Sequence, residues 1–240
     1  MIKRSLGGKP WQQWPEAERD RKDLDKWRLG RKDELEVIKK NQFIFDRRWK
    51  EVKAYANSKG ISVIGDIPIY AAVDSADTWA HPELFQLDAE GIPTGVAGCP
   101  PDYFSRTGQL WGNPLYDWKY HEKTGFEWWI ARLKALGEMF DILRIDHFIG
   151  FANYYSIPYG SDTAKNGKWI IGPGMDLVGI LTSWFPQLDF IAEDLGFLTQ
   201  EVLDLRDNSG FPGMKVLEFA FDSREPSDYL PHTYTKNSVV

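Results

Sequence analysis

DILRID, residues 141–146, is a short run of mostly apolar residues that reads as a strand over Asp141–Ile145 and ends on the acid Asp146. Before it, Phe126, Trp129, Ile130 and Leu133 fall at helical spacing. After it comes a loop, 147–174, holding Gly150, Gly160, Gly167, Gly172 and Gly174. Asp176 is then placed to cap a helix carrying Leu177, Ile180, Leu181 and Trp184. The same unit recurs on both sides. Upstream, Leu35, Ile38, Phe45, Trp49, Val52 and Ala56 mark a helix from Glu34 to Lys59, stopped by Gly60. It leads into a buried strand, Ile61–Gly65, that ends at Asp66. Downstream, Leu188–Ala192 is a strand ending at Glu193, and Thr199 caps a helix with Val202 and Leu205. Met214–Ala220 is a further strand, with Asp222 just past it. Helix and strand alternate with no hairpin signal, which predicts an α/β fold with a parallel sheet and crossover helices.

The strand ends carry the chemistry. Asp66, Asp146 and Glu193 each close a strand, and parallel α/β folds gather catalytic groups at those ends. The alternative for each acid is a helix cap or a structural ion pair. Arg144 lies two residues before Asp146, so both side chains leave the strand on one side. A guanidinium there holds a carboxylate ionised and oriented, as a glycosidic nucleophile must be. A general acid needs the opposite, a raised pKa, from apolar surroundings or a nearby anion. Ile191 and Ala192 precede Glu193, and Asp194 follows it. Two carboxyl groups with these roles, on the order of 5 Å apart, define retaining glycosidases.

Residues 67–124 form a long segment crowded with Pro, Gly, Asp and aromatics. A stretch of that length without periodicity is functional or disordered, and the aromatic content argues against disorder. Tyr103, Phe104, Gln109, Trp111 and Asn113 sit there among rigid turns. They suit a saccharide clamp, or else a packed surface loop. The chain as a whole has 11 Trp, 10 Tyr and 14 Phe in 240 residues. Such rings pack cores, and they also stack on the C–H faces of sugars.

Other classes are disfavoured. Net charge is −6 and no dense basic cluster occurs, so nucleic acid is not an expected partner. No apolar run spans a bilayer, no apolar leader is present, and Cys99 is alone, so a cytoplasmic protein without disulfides is expected. The four His show no metal-ligand spacing. His147 reads as a hydrogen-bond donor to sugar hydroxyls. No GxGxxG, P-loop or GxSxG pattern is found, and neither a metal nor an organic cofactor is expected.

Five strings then stand out: GDIPIYAAVDSADTWAHPELF (65–85), AGCPPDYFSRTGQLWGNPLYDW (97–118), RIDHFIGF (144–151), IAEDLG (191–196) and GMKVLEFAFD (213–222). Together they resemble the 4-α-glucanotransferases of glycoside hydrolase family 77, the amylomaltase family, across essentially the whole chain. The resemblance implies a (β/α)8 TIM barrel and a retaining double displacement on α-1,4-glucans and maltooligosaccharides. It implies Asp146 as nucleophile and Glu193 as acid/base. It places Asp66 and Arg144 in the donor subsite, and Tyr103, Phe104 and Trp111 along the glucan groove.

The resemblance is to part of that family's length. Only 65 residues precede Asp66, and the THDND motif carrying the family's third catalytic aspartate is not found. The expectation is one partial barrel over 1–240, comprising about strands three to six, with 67–124 as its groove loop. A half barrel exposes sheet edges, so self-association and weak or absent turnover are expected. The enzymatic alternative is α-amylase-like hydrolysis, and the other is a catalytically incompetent fragment that at most binds glucan.

Overall fold

The computed structural model describes residues 1–240 apart from 23, 103–104 and 222–228. A parallel five-stranded sheet organises the larger part of the sequence read above: β1 (Ile64–Pro68), β2 (Ile142–Asp146), β3 (Asp189–Ala192), β4 (Gly213–Met214) and β5 (Ser238–Val239), in that spatial order. β1 pairs with β2 from Ile64↔Ile142 to Pro68↔Asp146, which sets Asp66 directly beside Arg144. Among the described residues the sheet does not close on itself, and parallel strands alternating with helices make this an α/β fold of the partial (β/α)8 barrel kind. It belongs to a compact unit made of Ser62–Ile69, Trp118–Ser156 and Gly167–Val240.

Alternation along the strands explains which faces are buried. In β2, Leu143 and Ile145 are almost fully buried, while Arg144 and Asp146 leave by the other face. The helix Glu127–Met139 buries Trp129 and Leu133, Gly174–Trp184 buries Leu177, Val178 and Leu181, and Gln200–Ser209 buries Val202 and Leu205. Aromatic rings join these layers. Phe190 stacks on Phe211 at 4.9 Å, and Phe211 meets Phe148 at 5.9 Å. Gly65 is a glycine because the Phe140 ring lies where its Cβ would be.

The second unit comprises Met1–Ile61, Tyr70–Asp117 and Ile157–Asn166. Trp11 is buried and donates from Nε1 to the Val73 carbonyl at 2.9 Å. The helix Lys32–Ser58 has no buried residue, and Val37, Phe45, Val52 and Tyr55 are all more than half exposed. Among the described residues, no helix is long and apolar enough to cross a membrane.

Five sequence expectations are corrected. The first strand begins at Ile64, not Ile61: the Val63 N–H goes to the Asp141 carboxylate at 2.8 Å instead of a strand carbonyl, while the Val63 carbonyl accepts the Asp141 N–H at 2.9 Å. Asp66 therefore lies inside β1 rather than just beyond it, and Ile61 is exposed. The expected strand Met214–Ala220 stops at Met214. Its N–H goes to the Asp194 carboxylate, and Leu217–Phe221 turns into a 3₁₀ helix. Asp222 lies outside the described residues. The sheet also has a member the pattern did not show, β5, since Ser238–Val239 is too short to carry periodicity. Asp176 sits in the first turn of its helix, whose cap is Pro173, whereas Thr199 does occupy the cap position, its side chain bonding Glu201 rather than a first-turn N–H. Finally, not all strands are parallel. Gly95–Cys99 pairs antiparallel with Gln109–Pro114, and Asn153–Ser156 with Lys168–Ile171. Neither pair has a two-residue turn between its strands, so no hairpin signal announces it.

Candidate active site

Arg144 organises the site. Its Nη1 donates to Asp66 Oδ1 at 2.5 Å and to Asp146 Oδ1 at 3.0 Å. The in-register pairing of β1 and β2 makes the first contact, and the two-residue spacing within β2 makes the second. Burial opposes the Arg144 charge, but the hydrogen bonds and charges of the two carboxylates outweigh it and hold the guanidinium above its ordinary pKa. The Asp146 side chain remains 43% exposed, so its carboxylate is held by Arg144 and still reachable from solvent.

Glu193 lies just past β3 and is buried, at 9% exposure. Its Oε2 accepts the His147 N–H at 2.7 Å, and Oε1 accepts the Leu195 N–H at 3.2 Å. The main chain repeats the link, since Phe148 N–H donates to the Glu193 carbonyl and Glu193 N–H to the Ile145 carbonyl, both at 3.0 Å. Burial pushes the Glu193 carboxyl up. The two N–H bonds work against that shift, the Asp146 charge adds to it, and Arg144 opposes it. The anion that raises Glu193 is therefore Asp146. Asp194, the neighbour in sequence, points elsewhere, pairing with Arg206 at 2.8 Å.

His147 takes a left-handed backbone, φ 56°, which turns the chain sharply after β2 and aims its N–H at Glu193. The ring is buried rather than displayed to solvent, and burial lowers its pKa to about 4, so it is neutral at neutral pH. Gly150 gives it room, for a Cβ there would come within 3.0 Å of the ring.

The loop candidates belong to the other unit. Gln109, Trp111 and Asn113 lie together on the strand Gln109–Pro114. Gln109 Oε1 accepts the Trp111 indole N–H at 3.0 Å, and Asn113 donates to the Ala71 carbonyl at 2.9 Å. Trp111 is 38% exposed, and its ring tilts against Tyr70 at 6.2 Å. Tyr103 and Phe104 lie outside the described residues. The structure thus brings Asp66, Arg144, Asp146, His147 and Glu193 together in one unit, and orders Gln109, Trp111 and Asn113 within the other. Two residues of the first unit were not legible as contributors: Met214, whose Sδ accepts from Arg144 Nε at 3.2 Å, and Asp194, which is 2% exposed. The GMK and AED strings held them, but nothing in their spacing shows the contact.

Comparison with known proteins places the chain in a family. A 4-alpha-glucanotransferase of Clostridium butyricum is 50% identical over 233 residues, covering 96% of this chain and 48% of that protein. One from Streptococcus pneumoniae is 48% identical, covering all of this chain and 48% of its own length. The chain thus spans about half the length of the curated relatives it matches. The solved amylomaltase of Streptococcus agalactiae, in complex with acarbose, superposes with a TM-score of 0.90 at 43% identity, over 99% of this chain and 49% of that one. The profile of glycoside hydrolase family 77, described as 4-alpha-glucanotransferase, matches residues 1–240 throughout, and the chain belongs to that family.

Proposed function

We propose that this site performs retaining transfer of α-1,4-glucan segments, with Asp146 as nucleophile and Glu193 as acid/base. One observation carries the reading: Arg144 fixes an open Asp146 carboxylate from one side, while the neighbouring Glu193 is buried and raised in pKa. These are the two environments the two steps require.

In the first step an Asp146 oxygen bonds to the anomeric carbon, the glycosidic C–O bond breaks, and the Glu193 proton passes to the leaving oxygen. Both Glu193 oxygens accept a main-chain N–H, Oε2 from His147 at 2.7 Å and Oε1 from Leu195 at 3.2 Å, so Oε1 is the less tightly held of the two. In the second step Glu193 removes a proton from an acceptor glucan hydroxyl. The hydroxyl oxygen bonds to the same carbon, and the Asp146 carboxylate leaves. Asp66 shares the guanidinium and stands open, at 59% side-chain exposure, to bind donor hydroxyls. Trp111, held by Gln109, offers a ring for stacking in the groove, with Tyr103, Phe104 and Asn113 beside it in sequence. Transfer wins over hydrolysis where acceptor sugars displace water.

Maltotriose separates the outcomes. Glucose together with a ladder of longer oligomers supports transfer, and loss of both in Asp146→Asn and Glu193→Gln supports the assignment. Shortening without longer products would make the chemistry hydrolytic. Release of fluoride from α-maltosyl fluoride, whose leaving group needs little proton donation, isolates Asp146 from Glu193. Unchanged fluoride release in Asp146→Asn would remove Asp146 as nucleophile.

Among the described strands β1 pairs with β2 alone and lies at the edge of its sheet, where a strand can template pairing with another chain. That edge supports self-association of the 240-residue chain.

A further inference from the structure

β4 is two residues long, and it pairs with β3 at a single position, Ala192↔Gly213. A strand so short would normally leave the next N–H without a ladder acceptor. Here a side chain takes that place: Asp194 Oδ1 accepts the Met214 N–H at 2.8 Å. The other oxygen, Oδ2, accepts from Arg206 Nη1 at 2.8 Å, so the carboxylate is held from two directions and is 2% exposed. Gly213 lets it approach, since a Cβ there would sit 2.5 Å from Oδ2.

Met214, seated in this way, carries its thioether to Arg144, where Sδ accepts the Nε–H at 3.2 Å. A guanidinium is a rigid plane. Contacts at Nη1 alone leave it free to swing about the line to the carboxylates, whereas a second fixed point at Nε sets the plane. Sulfur is a weak acceptor, so it orients the group without drawing charge away from the carboxylates that share Nη1.

We propose that Met214 is a positioning residue for Arg144, and through it for Asp146, and that the buried Asp194–Arg206 pair exists to seat Met214. The proposal rests on the reading of Asp146 as nucleophile for its catalytic consequence only. The orientation of Arg144 can be measured without turnover.

The test uses the 240-residue chain. Exchange of the Arg144 Nε–H with water is followed by ¹⁵N NMR, its resonance assigned by disappearance in Arg144→Lys. Met214→Leu keeps an apolar side chain without the acceptor, Met214→Gln restores an acceptor at similar reach, and Asp194→Asn loosens the seat. One hydrogen bond corresponds to about a tenfold ratio. Exchange should therefore quicken about tenfold in Met214→Leu and in Asp194→Asn and return in Met214→Gln, with the amides of Leu143 and Ile191 still protected. With α-maltosyl fluoride, kcat should fall about tenfold in Met214→Leu with KM nearly unchanged, and recover in Met214→Gln. Unchanged Nε–H exchange in Met214→Leu overturns the proposal. So does its loss together with the Leu143 and Ile191 amides, which would make Met214 a packing residue. A rise in KM at constant kcat overturns it as well. If Asp146→Asn releases fluoride as fast as the parent, the site reading fails, and the exchange data still decide the role of Met214.

Discussion

The His147 N–H donates to Glu193 Oε2 at 2.7 Å, so the residue after the candidate nucleophile holds the candidate acid/base. One left-handed turn at His147 therefore sets the relation between the two carboxyl groups. Glu193→Gln keeps an oxygen to accept that N–H and removes the titrating group. Its melting temperature should stay close to that of the parent, while any maltotriose turnover the parent chain shows falls by about 10²–10⁴. A large fall in melting temperature would show that the charge, rather than the acceptor, is what the turn requires.

Buried, neutral His147 makes stability pH-dependent with a definite sign. Its pKa is about 4 in the folded chain against 6.5 as the ordinary value, so between those values the unfolded state binds more protons. Stability is then full above pH 6.5 and is lost as pH falls toward 4, by roughly 3 kcal/mol in all. Glu193 acts in the opposite sense. Its raised pKa favours the folded state below the ordinary carboxyl value, and that contribution is lost as pH rises through the folded one. Urea unfolding at a series of pH values should show the His147 slope, and His147→Gln should flatten it.

Gly213→Ala tests the close approach of Asp194. The added Cβ meets a carboxylate held by Arg206 and the Met214 N–H, so it has nowhere to move. A loss of about 1–3 kcal/mol is expected from overpacking a built site. An alanine at Gly179, where nothing lies within 4 Å of a Cβ, should instead be neutral or stabilising by a few tenths of a kcal/mol. Chemical denaturation of both variants measures the contrast.

Trp111→Ala should weaken maltoheptaose binding by about 1 kcal/mol, the scale of one aromatic contact. Gln109→Leu should lose part of that amount, because the indole N–H bond at 3.0 Å orients the ring. Isothermal titration reads both, and an unaltered affinity in Trp111→Ala would remove the residue from the groove.

Self-association through the open edge of β1 should appear as a concentration-dependent sedimentation coefficient. Ile64, 54% exposed on that strand, is the place to interrupt it, and Ile64→Lys should shift the population toward monomer. A monomer at every concentration would leave the edge without a partner.

β1, β2 and β3 could be read in the sequence because each combines isoleucine with an acid in or just past the strand, Asp66, Asp146 and Glu193. β2 lies one residue further along than expected, and β3 starts one residue later and ends where expected. What escaped was decided by side chains competing with the ladder. Asp141 captures Val63, and Asp194 captures Met214, and neither pattern is periodic. The long helix Lys32–Ser58 was legible from its spacing, yet its apolar face is exposed here, since spacing tells only which residues share a face. Of the site, the Arg144–Asp146 pair followed from strand alternation alone. The Asp66 contact needed the inter-strand register, and the Met214 contact needed a strand two residues long.

The register Asp66↔Arg144↔Ile191 has a consequence for how molecules of this protein are made. Slipping β1 by one residue against β2 would carry Asp66 to the opposite face and replace it beside Arg144 with an apolar neighbour. Such a molecule could keep its helices and much of its burial while losing the carboxylate pair. Recovery of the Arg144 contacts after refolding thus reports the fraction of chains aligned correctly. Helix content measured by circular dichroism would count the misaligned ones as native.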